Sequence, residues 1–425
     1  MNTIIKKEIG KGIYFEALKT DKYKTDRISV NLIVPMDEKT ASAYALLSYV
    51  MRLGCESYPD FTYLNRRLDE LYGAELSTDA LKLGANQMIN FQIVYIDDKY
   101  CLMGEEITRE CGRLLADIVT KPLVKEESFS ETAVALEKEN LIDAIESLIN
   151  DKRGYAISRC LSMVGRGDKS FLRRYGKKED VEQLTGKDLY EAYKVLLRKA
   201  DIRIFATGSG DYDALAKDMQ EAFKDIEREP VEIERVAFYP VGEEVLQKTE
   251  TMDVQQSKLC MCFRPEEQVK YEDKTKFKVM SALLGGTPSS RLFLNVREKE
   301  SLCYYCTSKY MSMSDIMLVD SGIENENVEK VKAGVLRELK ALQEGNFDEE
   351  DLINTKKLLL NSLRGVEDTP SAPESWHLRD LAEGGHLTPE ILMAEVEAVT
   401  REDIIASAKR MELDGIYLLT GEETK

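Results

Sequence analysis

The chain has 425 residues, with 59 Lys and Arg against 77 Asp and Glu, a formal net charge of −18. That balance repels a phosphate backbone, and with no dense basic stripe to offset it, it argues against nucleic acid as a partner. At 43% hydrophobic and 32% charged residues, the composition is that of a globular protein long enough for two to four domains, and no apolar run of about 18 residues is present to span a membrane.

The N-terminal stretch MNTIIKKEIGKGIYFEAL lacks an apolar run of signal-peptide length. Eight cysteines dispersed along the chain suit reduced thiols, so a cytoplasmic location is expected. DRISVNLIVP and NQMINFQIVYID read as strands, rich in β-branched and aromatic residues. Between them lies a helix over 40–53, with Ala43, Leu46, Leu47 and Val50 as its apolar stripe. A second helix, FTYLNRRLDELYG, spaces Phe61, Leu64, Leu68 and Leu71 helically and stops at Gly73.

Farther on the chain repeats itself. VEQLTGKDLYEAYK at 181–194 returns as VEAVTREDIIASAK at 396–409, and each copy leads to a strand ending in Thr-Gly, IRIFATG and GIYLLTG. RISVNLIVP and SKLCMCFRP correspond more loosely, each followed by a helix that reaches Gly54 or Gly285. A period of about 200 residues is too long for a solenoid and predicts two tandem homologous domains. Strand runs followed by helix runs predict an α+β fold in each, an antiparallel-rich sheet with helices packed on one face. The charged, Pro-punctuated stretch EREPVEIERVAFYPVGEE at 227–244 reads as the linker, giving domains 1–226 and 245–425.

The sharpest local signal is LLGGTPSSRLFLNVREKESLCYYCTSKY at 283–310. Gly285-Gly286 breaks the chain, Thr287 and Pro288 suit the cap and first turn of a helix, and Leu292, Phe293 and Val296 form its stripe. Arg297 sits off that stripe near the helix end, and Tyr304 begins the strand that follows. Cys260, Cys262, Cys303 and Cys306 could together supply four thiolates to a structural zinc. KLCMCF alternates like a strand, however, and small buried cysteines are common on strand faces. His377 and His386 are the chain's two histidines; neither stands at a metal-binding spacing, and surface or helix-end roles are expected for both.

GGTPSSRLF followed by VREKESLCYYC closely resembles the C-terminal signature of the insulinase/pitrilysin family of zinc peptidases. The resemblance extends to the duplication, the G-x-x-x-Y-P turn at 54–59 and the LT-x-x-D-L helix. It implies that Arg297 and Tyr304 hydrogen-bond a peptide substrate and the charge developing on its carbonyl, as an oxyanion hole does. In active members an inverted H-x-x-E-H helix precedes the turn and binds the catalytic zinc. Here those positions are Ala45, Ser48 and Tyr49, and the region of the family's third ligand offers Glu137 or Glu139. One carboxylate without two imidazoles holds no catalytic zinc, so no metal or cofactor is expected in this chain. The resemblance then implies a zinc-less subunit, inactive alone, that pairs with a homologous H-x-x-E-H-bearing chain in a heterodimer and serves its peptide substrate in trans. The alternatives are a non-catalytic scaffold or peptide-binding protein of the same fold, and a homodimer with hydrolytic activity of its own.

Overall fold

The computed structural model of the chain describes residues 4–385 and 388–421. Its first half runs β1 (Ile4–Gly10), β2 (Ile13–Lys19), β3 (Thr25–Pro35), α1 (Glu38–Met51), α2 (Phe61–Glu70), β4 (Glu75–Leu83), β5 (Asn86–Ile96) and α3 (Ile107–Thr120). A small ribbon, β6 (Val124–Lys125) and β7 (Ser128–Phe129), precedes α4 (Glu131–Ser147), α5 (Lys152–Val164), α6 (Lys178–Gln183), α7 (Gly186–Lys199), β8 (Asp201–Gly208) and α8 (Tyr212–Phe223). The second half runs β9 (Leu246–Thr251), β10 (Ser257–Arg264), α9 (Lys274–Ser281), two π-helical segments (Ala282–Gly286 and Leu292–Lys299), β11 (Cys303–Met311) and β12 (Ile316–Ile323). It closes with α10 (Val328–Gln343), α11 (Glu349–Arg364), α12 (Ala372–Glu383), α13 (Pro389–Ala398), α14 (Arg401–Lys409) and β13 (Glu412–Thr420).

The sequence repeat is a repeat of topology. The first sheet has the order β1-β2-β8-β3-β5-β4 and the second β11-β12-β10-β13-β9. Read from the other edge, the second sheet is the first without β1. In both, among the described residues, the one parallel pair occupies the same place, β2 with β8 and β13 with β9. The LT-x-x-D-L and VT-x-x-D-I segments start their helices identically: Thr185 and Thr400 each cap the helix while the Asp three residues on bonds back to the cap. The fold is α+β with antiparallel-rich sheets, as the sequence predicts.

Chain order and compactness part company at two helices. One compact unit draws on the chain up to Glu146, Leu172–Glu234 and Glu367–Ala382; the other on Ser147–Phe171, Arg235–Val366 and the chain from Glu383. Thus α5, from the first half, packs on the second sheet, and α12, from the second half, packs on the first. Their contacts differ in kind. Ala156, Cys160 and Val164 of α5 join an apolar cluster with Cys260, Cys262, Leu318, Tyr417 and Leu419. By contrast α12 turns buried Glu374 toward Arg27, Ser29 and Asn31 of β3, with Asn31 Nδ2 donating at 2.6 Å. On its other face β3 sends Ile28, Val30, Leu32 and Val34 into the helix-lined core of the first unit.

The same helix overturns the expectation for His377, which lies within α12, pairs with Glu16 and packs its ring 6.2 Å from that of Phe205. A surface role presupposed an outward helix face, whereas this face lies on the sheet. His386 lies outside the described residues.

The Thr-Gly that ends β8 has a structural reason. Gly208 adopts φ 141°, and a Cβ there would fall 2.0 Å from the Asp26 carboxylate. The tight passage lets the Ser209 N–H donate to Asp26 Oδ2 at 3.0 Å and its hydroxyl to Asp97 Oδ2 at 2.7 Å. Asp26 is fully buried, and its Oδ1 has no partner. Burial, then the neighbouring Asp97 and Asp98, push its pKa up to about 7, against the pull of the Ser209 N–H and Lys99. The folded protein therefore holds a proton that the unfolded chain releases near pH 4. Between about pH 4 and 7 the unfolded state binds fewer protons, so Asp26 makes stability fall as pH rises. Urea unfolding of the Asp26→Asn variant across this range should lose that component of the slope and leave the variant more stable than wild type at pH 8.

Candidate functional site

The segment 274–311 shapes the second unit's prominent motif. Helix α9 widens into a π-turn at Ala282–Gly286 and runs against β11. A Cβ on Gly285 would sit 2.6 Å from the Ser308 backbone N and 2.8 Å from Leu292 Cδ1, so only glycine permits the approach. Thr287 is not the expected cap. It is extended (φ −135°, ψ 160°) and opens a turn closed by Ser290 N–H to Thr287 O at 3.0 Å, and the helix begins at Arg291.

The next helix is wound wide as well. Glu300 N–H bonds Asn295 O at 3.1 Å, an i to i−5 bond, and Ser301 then takes a left-handed φ of 54°. Such π-helical turns gather at functional sites. Buried Glu338 of α10 fixes the segment, accepting from Arg291 at 2.9 Å, Asn295 at 2.8 Å and Arg337 at 3.2 Å. Sequence reading missed Glu338; an acidic residue on a helix gives no hint of three partners.

Arg297 is part-exposed near the end of this helix, its guanidinium 4.5 Å from the Phe293 ring centroid and 3.2 Å from Glu298. Tyr304 lies on β11, the outermost strand of its sheet. Cys303 pairs with Ile323 and Tyr305 with Gly322, so Tyr304 is the extra residue of a β-bulge. Bulges of this kind redirect a side chain. Tyr304 is 54% exposed, and its hydroxyl donates to Glu324 Oε1 at 2.7 Å. That bond holds the phenol above its usual pKa. The two residues meet different partners, yet the charge of Arg297 reaches the Cys303 thiol beside Tyr304.

In the first unit, α1 carries Ala45, Ser48 and Tyr49. Ala45 and Ser48 are fully buried, and the Ser48 hydroxyl bonds Ala45 O at 2.7 Å. The Tyr49 ring stands edge-on to Tyr175, centroids 6.5 Å apart, with the Arg52 guanidinium 5.4 Å from its centroid. Of the two candidate carboxylates, Glu139 is exposed and Glu137 is buried at 2%. Glu137 is held by Arg52 at 3.5 Å and Asn140 at 3.0 Å. This group offers a divalent cation one carboxylate, already facing a guanidinium, so the residues present do not fit a zinc ion. Among the described residues no cluster of three or more His, Cys, Asp or Glu is arranged to hold a metal.

The four thiols singled out by sequence fall into two pairs. Cys260 pairs with Asp320, and Cys306 pairs with Ser321. Neighbouring residues of one strand point to opposite faces of its sheet, so the Cys260/Cys262 and Cys303/Cys306 pairs lie on opposite faces and cannot converge on one ion.

Residues 183–359 match the family model described as "Peptidase M16 inactive domain". The chain is 30% identical over 415 residues to a probable inactive metalloprotease, YmfF, of Bacillus subtilis, covering 97% of this chain and 96% of that one. Among solved structures, a conserved protein from Enterococcus faecalis superposes with a TM-score of 0.89 at 28% identity over 99% of both chains. A chain of Complex III2 from Candida albicans shares the fold, with a TM-score of 0.75 at 16% identity over 99% of this chain and 96% of that one. The chain belongs to the insulinase/pitrilysin family of metallopeptidases, among its inactive members.

Proposed function

We propose that this protein is the zinc-less subunit of a two-chain metallopeptidase. In this reading it pairs with a homologous H-x-x-E-H-bearing chain, which carries the zinc, and grips the peptide with Arg297 and Tyr304. The observation that carries the reading is Tyr304, held exposed by a bulge on an edge strand a few residues from a part-exposed Arg297. An edge strand leaves one row of backbone donors and acceptors unpaired, suited to an extended peptide. Beside that row, a guanidinium and a phenol supply two donors for a carbonyl oxygen as it gains charge. The one O–H of Tyr304 goes to Glu324 in the free chain, so in this reading the phenol turns from that carboxylate to the substrate carbonyl.

The first unit supports the other half of the reading. There the Arg52 guanidinium faces Glu137, one of the two carboxylates in the region of the family's third ligand, which suits a chain that leaves the metal to its partner. A scaffold or peptide-binding role without a catalytic partner is the second reading, favoured by the shared fold of the Complex III2 chain. A copurifying H-x-x-E-H chain distinguishes the two. The reading places the pair in the cytoplasm.

With that partner reconstituted, Arg297→Ala and Tyr304→Phe should each lower peptide cleavage by about 10²–10³-fold, the usual effect of losing one such donor. Unchanged rates in both would refute the role in trans. Arg52→Ala strands a buried carboxylate and should reduce stability by about 1–3 kcal/mol in chemical denaturation. Glu137→Gln introduced alongside should recover much of that loss, because the stranded charge is then gone.

A further inference from the structure

We propose that Cys303 and Cys306 form a reversible dithiol modification site, in which Cys303 takes up a small-molecule disulfide and Cys306 resolves it into an intrastrand disulfide. The argument begins with register. Residues three apart on a regular strand face opposite ways. In β11, however, Cys303 pairs with Ile323 and Cys306 with Ser321, two residues apart on the partner strand. The bulge at Tyr304 therefore brings both thiols to one face as near neighbours. Two strand steps span roughly 6.6 Å, close to the longest Cα separation a disulfide bridges. Closure thus pulls on the bulge, and a bond under such tension is readily reduced again.

The environment separates the roles of the two thiols. Cys303 is half-buried on an edge strand and Cys306 is 2% exposed, so the entering disulfide meets Cys303 first. Its thiol is held below the usual range by the Cys306 hydrogen bond, helped by the Ser321 hydroxyl and the Arg297 charge. The other close pair has no such access. Cys160 and Cys262 stand 3.4 Å apart, sulfur to sulfur, with both side chains fully buried. Cys101 is part-exposed, but burial and the nearby Asp98, Glu105 and Asp97 push its thiol up.

The chemistry balances with a glutathione-type disulfide as oxidant. The Cys303 thiolate attacks one sulfur, and the first glutathione thiolate leaves and takes up the proton that Cys303 lost. The Cys306 thiolate then attacks the Cys303 sulfur and expels the second glutathione, which is protonated in turn. Two protein thiols are oxidised, and one small disulfide is reduced to two thiols. The step needs neither partner subunit nor peptide, so it stands or falls apart from the function proposed above.

The test treats the folded full-length chain with oxidised glutathione, quenches with iodoacetamide, and maps the peptides by mass. Wild type should lose two hydrogens across 303–306 without a lasting adduct, reversibly with dithiothreitol. Cys306→Ser should trap glutathione on Cys303, and Cys303→Ser should leave the segment unmodified. Modification of Cys303 should run at least about tenfold faster than that of Cys160 or Cys262. A persistent adduct on Cys303 in wild type, first attack at Cys306, or an inert segment while Cys101 reacts would each overturn the proposal.

Discussion

A strand covered on both faces can keep a charge only by pairing it, and β3 carries Arg27 on a buried face. One side of β3 packs Ile28, Val30 and Leu32 against helices. The other presents Arg27, Ser29 and Asn31, whose polar groups would be costly to bury unmet. Glu374 answers all three at once. That requirement explains why a helix from the second half of the chain belongs to the first compact unit.

In the second unit the governing constraint is an approach of backbones. Gly285 lets the end of α9 press on β11 at Ser308, and the wide turns on either side of 287–290 follow from that closeness. Glu338 then pins the following helix from below, and the left-handed Ser301 returns the chain into the sheet. The bulge at Tyr304 comes immediately afterwards. The exposed Tyr304 is thus the last member of a chain of local constraints that starts with a missing Cβ.

Much of this was legible in the sequence. The repeated LT-x-x-D-L helix and its Thr-Gly strand reported a duplication because their capping is local chemistry, and the sheet order follows it in both halves. Arg297 and Tyr304 were readable as positions, but not how they are displayed. A bulge depends on the register of β12, which nothing near residue 304 encodes. For the same reason the cysteine spacing could not separate one face from the other. The Thr287 cap went astray where a local preference met the tertiary contact at Gly285. His377 looked like a surface residue because its partner Glu16 lies more than three hundred positions away.

Two halves of like topology raise a hazard for a single polypeptide: misplacement of α5 or α12 on the wrong sheet during folding, a characteristic failure of repeated architectures. The unlike chemistry of α5 and α12 guards against it. Seated on β3, Cys160 and Val164 would leave Arg27 and Asn31 stranded; against Cys262 and Leu318, Glu374 would lose its guanidinium, hydroxyl and amide donors to a largely apolar cluster. Each wrong arrangement is penalised from both sides, so twin halves sort themselves by polarity alone.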